Sequence, residues 1–295
     1  MYPKSPALTP STGSKIQNLK SKIEQPFWLP ALALLTALAL AGCAGPRPAV
    51  RPALEIPADV HPGFDTWRYP GDEVFQAWRE ASPYQWVGYY LPAPCHRDSS
   101  WMGRRQALQQ AGWGLAVVYV GQQVFEGQPA GNDIPDEQVI CSRTLLTPEQ
   151  GRRDAQNAIA GAAGEGFPPG TVVYLNVEAV SQVGDSLAAY YRAWQQEMLR
   201  EGSYVPGTYV HRANAPALFA VAREVFSGAG RGEEPPFWVA GTGGFALNQR
   251  PERSGHAFAD VWQGALNVQR TWGGVTLQID ENVAARPHPS APRSQ

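Results

Sequence analysis

Beyond Lys22 the sequence contains no lysine; all four (Lys4, Lys15, Lys20, Lys22) crowd the N-terminus of a 295-residue chain. After Gly42, 20 arginines face 25 acidic residues, a formal charge of about −5 with histidine neutral. That balance leaves no basic stripe for a nucleic-acid backbone, so no nucleic acid is expected as a partner. The five histidines are scattered, and none stands at metal-ligand spacing from a cysteine; no metal and no cofactor are expected. The N-terminal apolar run, Phe27 to Ala41, falls short of the roughly 20 residues a bilayer-spanning helix needs. A Gly-rich phosphate turn is also missing. Phe64-Asp65-Thr66-Trp67 stand where it would follow the first strand, which argues against a nucleotide.

What is present begins with an address. A basic segment, a short apolar core and small residues read as a secretory signal over residues 1–42. Its end, Leu40-Ala41-Gly42-Cys43, resembles the bacterial lipobox, in which the chain is cut before the cysteine and the thiol carries lipid. The alternative is an uncleaved membrane anchor with an incidental cysteine. Ala44 rather than Asp after Cys43 resembles the outer-membrane sorting pattern. The expected place is therefore the cell envelope, lipid-anchored at the outer membrane facing the periplasm or at the cell surface. Residues 43–60 read as a Pro/Ala-rich tether, 61–284 as one domain and 285–295 as a disordered tail. Cys95 and Cys141 remain after lipidation. In an oxidising compartment they are expected to pair, contributing ~3–5 kcal/mol in the chain-entropy account; two unpaired buried thiols are the alternative.

Within the domain, apolar runs alternate with helical patterns. Strands are expected at His61–Trp67, Trp86–Leu91, Gly114–Val120, Thr171–Val177, Tyr204–His211, Phe237–Gly241, Asp260–Gln263 and Val275–Asp280. Helices are expected over Asp72–Ala81, Trp101–Gln110, Thr147 to Gly164, Ser186–Arg200 and Ala215–Phe226. Thr147-Pro148-Glu149-Gln150 carries a cap, a first-turn proline and a reciprocating Gln. Such alternation implies a parallel sheet. Eight strands in roughly 230 residues suit an α/β (β/α)8 TIM barrel with short or degenerate helices in its last third; an open doubly wound sheet is the alternative.

In a barrel, chemistry sits on the loops that follow the strands. Asp65, Asn176, Glu178 and Asp280 fall at predicted strand ends, where an ionised group is costly unless it faces a solvated site. Asn176 and Glu178, two apart, share a strand face. Convergent carboxylates suit glycosidic hydrolysis, one acid protonating the leaving oxygen while another group stabilises the oxocarbenium-like transition state. Trp67, Tyr69, Tyr90, Tyr119 and Trp262 are candidate sugar-stacking residues. Acids at strand ends also cap helices and pair with arginines, and Arg68 is close by, so each acid alone has a structural reading.

The same segments resemble a known family. They are Gly63-Phe64-Asp65-Thr66, Gly88-Tyr89-Tyr90-Leu91, Gly112-Trp113-Gly114-Leu115, Tyr119-Val120-Gly121-Gln122-Gln123, Asp154-Ala155, Gly166-Phe167-Pro168, Val173 to Glu178, Trp262-Gln263 and Ile279-Asp280-Glu281-Asn282. Together, over about His61 to Val283, they are similar to the glycoside-hydrolase-like TIM-barrel domain related to the family 25 muramidases. The resemblance implies Glu178 as general acid, with Asp65 and Asp280 shaping and polarising the site. Asn176 departs from it, because the muramidases carry Asp there and an amide can neither act as base nor hold negative charge. It can still orient a substrate acetamide in a substrate-assisted reaction. A monomeric enzyme acting on cell-wall glycan is one expectation. A non-catalytic glycan-binding or envelope-organising lipoprotein on the same scaffold is the other, and an anchored scaffold for another protein has no feature in its favour.

Overall fold

The computed structural model describes residues 55–124 and 141–293. The chain divides into residues 1–51 and 52–295, and every described residue belongs to the second unit. The expected signal segment, the expected lipidation site Cys43 and the expected tether up to residue 54 lie outside the described residues.

Eight strands close into a barrel in chain order. They are β1 (His61–Asp65), β2 (Trp86–Leu91), β3 (Gly114–Val120), β4 (Val172–Val177), β5 (Val205–His211), β6 (Phe237–Ala240), β7 (Val261–Trp272) and β8 (Val275–Ala284). Among the described residues five α-helices cover the outside: α1 (Asp72–Ala81), α2 (Arg105–Gln110), α3 (Pro148–Gly164), α4 (Asp185–Glu201) and α5 (Ala215–Gly228). Thr147 caps α3, its hydroxyl accepting from the Gln150 N–H at 3.2 Å. Gln150 does not reciprocate; its side chain holds Asp154 and Arg153 instead. Gly202 ends α4 in the left-handed conformation at φ 72.

The expected α/β barrel is present, with one difference in its last third. β1 to β7 run parallel, but β8 is antiparallel to both β7 and β1. No crossover helix joins β7 to β8, because Gly273 and Gly274 turn the chain in two residues at φ 56 and 79. Glycine adopts such angles without penalty, and a two-residue turn makes a hairpin. The hairpin runs well beyond the Gln263 end expected for β7. Two register shifts, between Gln263 and Ala265 and between Ala265 and Val268, break the alternation that would have shown it in the sequence. It lies against α1, where the Trp78 indole donates to Val275 O at 3.1 Å, and Arg270 grips the outward-facing Glu281 at 2.7 and 2.9 Å.

Aromatic rings fill the barrel. Trp86 and Tyr174 meet the Trp238 ring edge-on, at 5.5 and 5.8 Å between centroids. A Cβ at Gly63 would lie 2.2 Å from the Trp86 ring, so only glycine lets β1 approach. The opposite strand faces pack on the helices, as Phe64 does against Phe75, Trp78, Tyr84 and Trp113.

Residues 285–293 correct the expectation of a disordered tail. They cross the bottom of the barrel, and Ser290 is wedged between β3 and β4. Its hydroxyl accepts from the Val117 N–H at 2.7 Å, its N–H donates to Leu115 O at 3.1 Å and its carbonyl accepts from the Val172 N–H at 2.9 Å. Backbone groups at the start of β3 and β4 thus gain partners the ladder lacks, a need that polar composition does not reveal. Ser290→Ala leaves the Val117 N–H buried and unpaired. It is expected to lower stability by about 1–3 kcal/mol, to be read from urea denaturation; an unchanged midpoint would contradict this role. The last residues of the expected tether are also packed, Ile56 and Val60 lying against Trp262 and Val283. As expected, Cys95 and Cys141 form a disulfide, with Cα atoms 4.9 Å apart.

Candidate active site

Asp65 and Asp280 are direct partners across the β1–β8 ladder, so both side chains enter the barrel mouth side by side. Gln263 on β7 bridges them, its amide donating to Asp65 Oδ1 at 3.1 Å and to Asp280 Oδ2 at 2.8 Å. Asn282 donates to Asp65 Oδ1 at 2.7 Å and Tyr90 to Asp65 Oδ2 at 2.7 Å. Three donors would normally depress a carboxyl pKa. Burial, reinforced by the charge of Asp280, overrides them and pushes Asp65 from 3.8 up to about 7. Burial raises Asp280 as well, against the opposing hydrogen bond from the Asn267 N–H at 2.6 Å. That N–H is free to turn inward because Asn267 sits in the bulged part of β7 at φ 53, in the left-handed region. Asparagine tolerates that conformation better than other non-glycine residues, which suits it to the bulge.

Glu178 follows β4 and keeps solvent contact. Among the described residues no cation pairs with it. Its carboxyl is raised above 4.5 by surrounding protein and by the charge of Asp280. Gln123 fixes the backbone here. Its Oε1 accepts from the Glu178 N–H at 2.9 Å while its Nε2 donates to Asn176 O at 2.9 Å. Asn176 is buried and shares the inward face with Tyr174.

Tyr209 was not foreseen. It is the register partner of Asn176 on β4 and of Trp238 on β6, and stacks on the Trp238 ring at 4.2 Å. Burial, then the charges of Asp65, Asp280 and Glu178 together, hold its hydroxyl well above 10, and Gln263 hydrogen-bonds it. A neutral phenol therefore stands among three carboxyls. Its strand ends in His211-Arg212 with no acid, so no carboxyl in the sequence marks β5 as part of the site.

Residues 76–284 match the Rv2525c-like, glycoside hydrolase-like domain. The chain belongs to this family. In fold it is similar to an uncharacterized B. stearothermophilus protein, at TM-score 0.50 and 20% identity over 76% of this chain and 95% of that one. It is also similar to the modular autolysin LytC of Streptococcus pneumoniae in complex with a synthetic peptidoglycan ligand, at TM-score 0.50 and 12% identity over 76% of this chain and 46% of that one. The Tat-secreted protein Rv2525c of Mycobacterium tuberculosis aligns at TM-score 0.47 and 16% identity over 77% and 96% of the two chains. No curated protein matches the sequence.

In this Rv2525c-like barrel Asp65, Asn176 and Asp280 share the mouth with Tyr90, and Glu178 stands at its rim. Trp67 is half exposed at the same edge, 6.0 Å from the Tyr90 ring. Three expected sugar-stacking residues, Tyr119, Trp262 and Tyr69, lie elsewhere. Tyr119 points outward to α3, where Asn157 hydrogen-bonds its hydroxyl. Trp262 also points outward, its indole donating to Gly241 O at 2.7 Å and packing on Phe245. In both cases the inward position belongs to a neighbour, Val120 or Gln263. Tyr69 stacks on Phe75 over α1.

Proposed function

We propose that this Rv2525c-like protein hydrolyses an amino-sugar polymer of the cell envelope, peptidoglycan above all, from a lipid anchor on Cys43, with Glu178 as general acid. One observation carries the reading: a solvent-open carboxyl of raised pKa, Glu178, stands at the rim of a mouth that holds two further carboxyls, the buried Asp65 and the half-buried Asp280. Protonated Glu178 gives its proton to the glycosidic oxygen as the C1–O bond breaks and the bonding pair leaves with that oxygen. Negative charge on the Asp65–Asp280 pair favours the cationic sugar that develops; the oxygen of a solvent water then bonds to C1, and the proton that water loses passes to a carboxylate of the site. Asn176 and Tyr209, both neutral, orient the substrate rather than exchange protons. The fold shared with LytC supports glycan as the substrate class.

The test is release of muropeptides from purified peptidoglycan by the full chain in detergent. Turnover above a Glu178→Gln control is the expected result; no turnover across pH 5–8 sinks the hydrolase reading. Asn176 favours a second reading, a glycan-binding lipoprotein on the same scaffold. Retention on cell wall that survives Glu178→Gln, with no turnover by either protein, would establish it.

A further inference from the structure

We infer that His96 and Trp67 form a sugar-ring subsite beside the carboxylates, with Trp67 as a movable cover and His96 as the polar group beneath it. The inference rests on reading the mouth as a glycan site. His96 is fully buried, and neither ring nitrogen has a hydrogen-bond partner. Buried polar groups are nearly always paired, because an unmade bond leaves the desolvation cost standing. Both nitrogens of one imidazole left without partners in a packed wall mark groups waiting for a ligand.

The surroundings define that ligand. Trp67 packs edge-on to the imidazole at 4.3 Å between centroids, and the Tyr90 ring, 6.0 Å from Trp67, lies 4.9 Å from the imidazole, so the three rings form a cluster. Tyr90 in turn donates to Asp65, so His96 is one ring removed from the carboxyls. The backbone under His96 is fixed. It bridges to Ala93 through bonds of 2.8 and 3.1 Å, and the preceding residue is tied down by the Cys95–Cys141 disulfide. The cover is not fixed in this way: Trp67 is 49% exposed on the loop after β1. Burial lowers the His96 pKa to about 4, so near neutral pH the ring is uncharged and offers one donor and one acceptor. That pair fits the hydroxyl or amide edge of a neutral pyranose, not an anion. An indole face beside it suits the apolar face of the same ring. A fixed polar residue under a loosely held aromatic thus describes a site that opens when a sugar displaces Trp67.

The experiment measures binding of chitotetraose and of purified peptidoglycan to the full chain, in a Glu178→Gln background so that nothing is cleaved. His96→Phe keeps a flat ring against Trp67 and Tyr90 and removes both unpaired nitrogens. It is expected to melt a few degrees higher than its parent while binding tenfold or more weakly. A purely structural histidine would not give that opposed pair of changes. Trp67→Ala, at an exposed position that does not endanger folding, is expected to weaken binding by a similar factor. Chitotetraose should also shift the His96 imidazole nitrogen resonances of the parent protein. Unchanged affinity in both variants overturns the subsite, as does a parent protein that retains neither probe. Peptidoglycan cleavage by the unmutated chain is scored separately. Cleavage without a His96 effect on binding removes the subsite and leaves the hydrolase. Binding that depends on His96 without cleavage removes the hydrolase and leaves the subsite.

Discussion

Glu178→Gln is expected to slow peptidoglycan hydrolysis by roughly a hundred- to ten-thousand-fold, the usual contribution of a positioned general acid, with little change in KM. The amide has the shape of the carboxylic acid but no proton to give. Gln123 holds residue 178 through its backbone N–H, so the substitution leaves the local chain in place and a loss of rate reports chemistry rather than misfolding. The pH profile gives the sharper signature. Because protein and the charge of Asp280 raise the Glu178 carboxyl, the proton-bearing form persists above the ordinary carboxylate range and is lost as pH rises through the raised pKa. The unmutated protein should therefore lose activity on the alkaline side. Residual activity of the variant should lack that limb, since no titrating donor remains. A rate unchanged by the substitution, or an effect confined to KM, would remove Glu178 from the role of acid.

How far the sequence could lead to this site differs from residue to residue. Trp86–Leu91 and Gly114–Val120 were legible as strands because short apolar runs between turn residues leave few other options. The cap at Thr147 and the stop at Gly202 were legible because their chemistry is local. Asp65, Asn176, Glu178 and Asp280 stood out as polar residues ending apolar strands. The face each strand turns inward was harder to read. Gly114–Val120 is buried on both sides, so it has no polar alternation to give the parity of Tyr119, and the same one-residue ambiguity separated Trp262 from Gln263. Gln263, Asn282 and Tyr209 meet the carboxyls only because β7, β8 and β5 close on β1 and β4. Nothing in their immediate sequence distinguishes them from other strand residues. The β7–β8 hairpin was hidden for a related reason, since its bulges disrupt the period that marks a strand, and one of those irregularities aims the Asn267 N–H at Asp280.

Asp65→Asn should make the protein more stable at pH 8 while impairing the proposed hydrolysis. In the folded chain the Asp65 carboxyl titrates at about 7 instead of 3.8. Between those values the native state keeps a proton that the unfolded chain has released, so stability falls with rising pH across this interval. The contribution is complete below about 4 and gone above about 7. Carried through linkage, the shift corresponds to on the order of 4 kcal/mol, which the ionised Asp65–Asp280 pair forfeits at pH 8. An asparagine never ionises. Its Oδ1 can still accept from Gln263 and Asn282, and the Tyr90 hydroxyl can rotate to accept from its Nδ2. The substitution should recover about half of the forfeited stability, raising Tm by about 4–8 °C at pH 8 for a domain of this size. At pH 5, where the native carboxyl is already protonated, the gap should close. Melting curves of both proteins at the two pH values decide the matter. An asparagine variant less stable at pH 8, or a gap independent of pH, would mean that Asp65 is not a buried acid held against its preference. A pH-dependent gain with lost turnover would instead show that the carboxylate is retained for function at the expense of stability, as active-site groups commonly are.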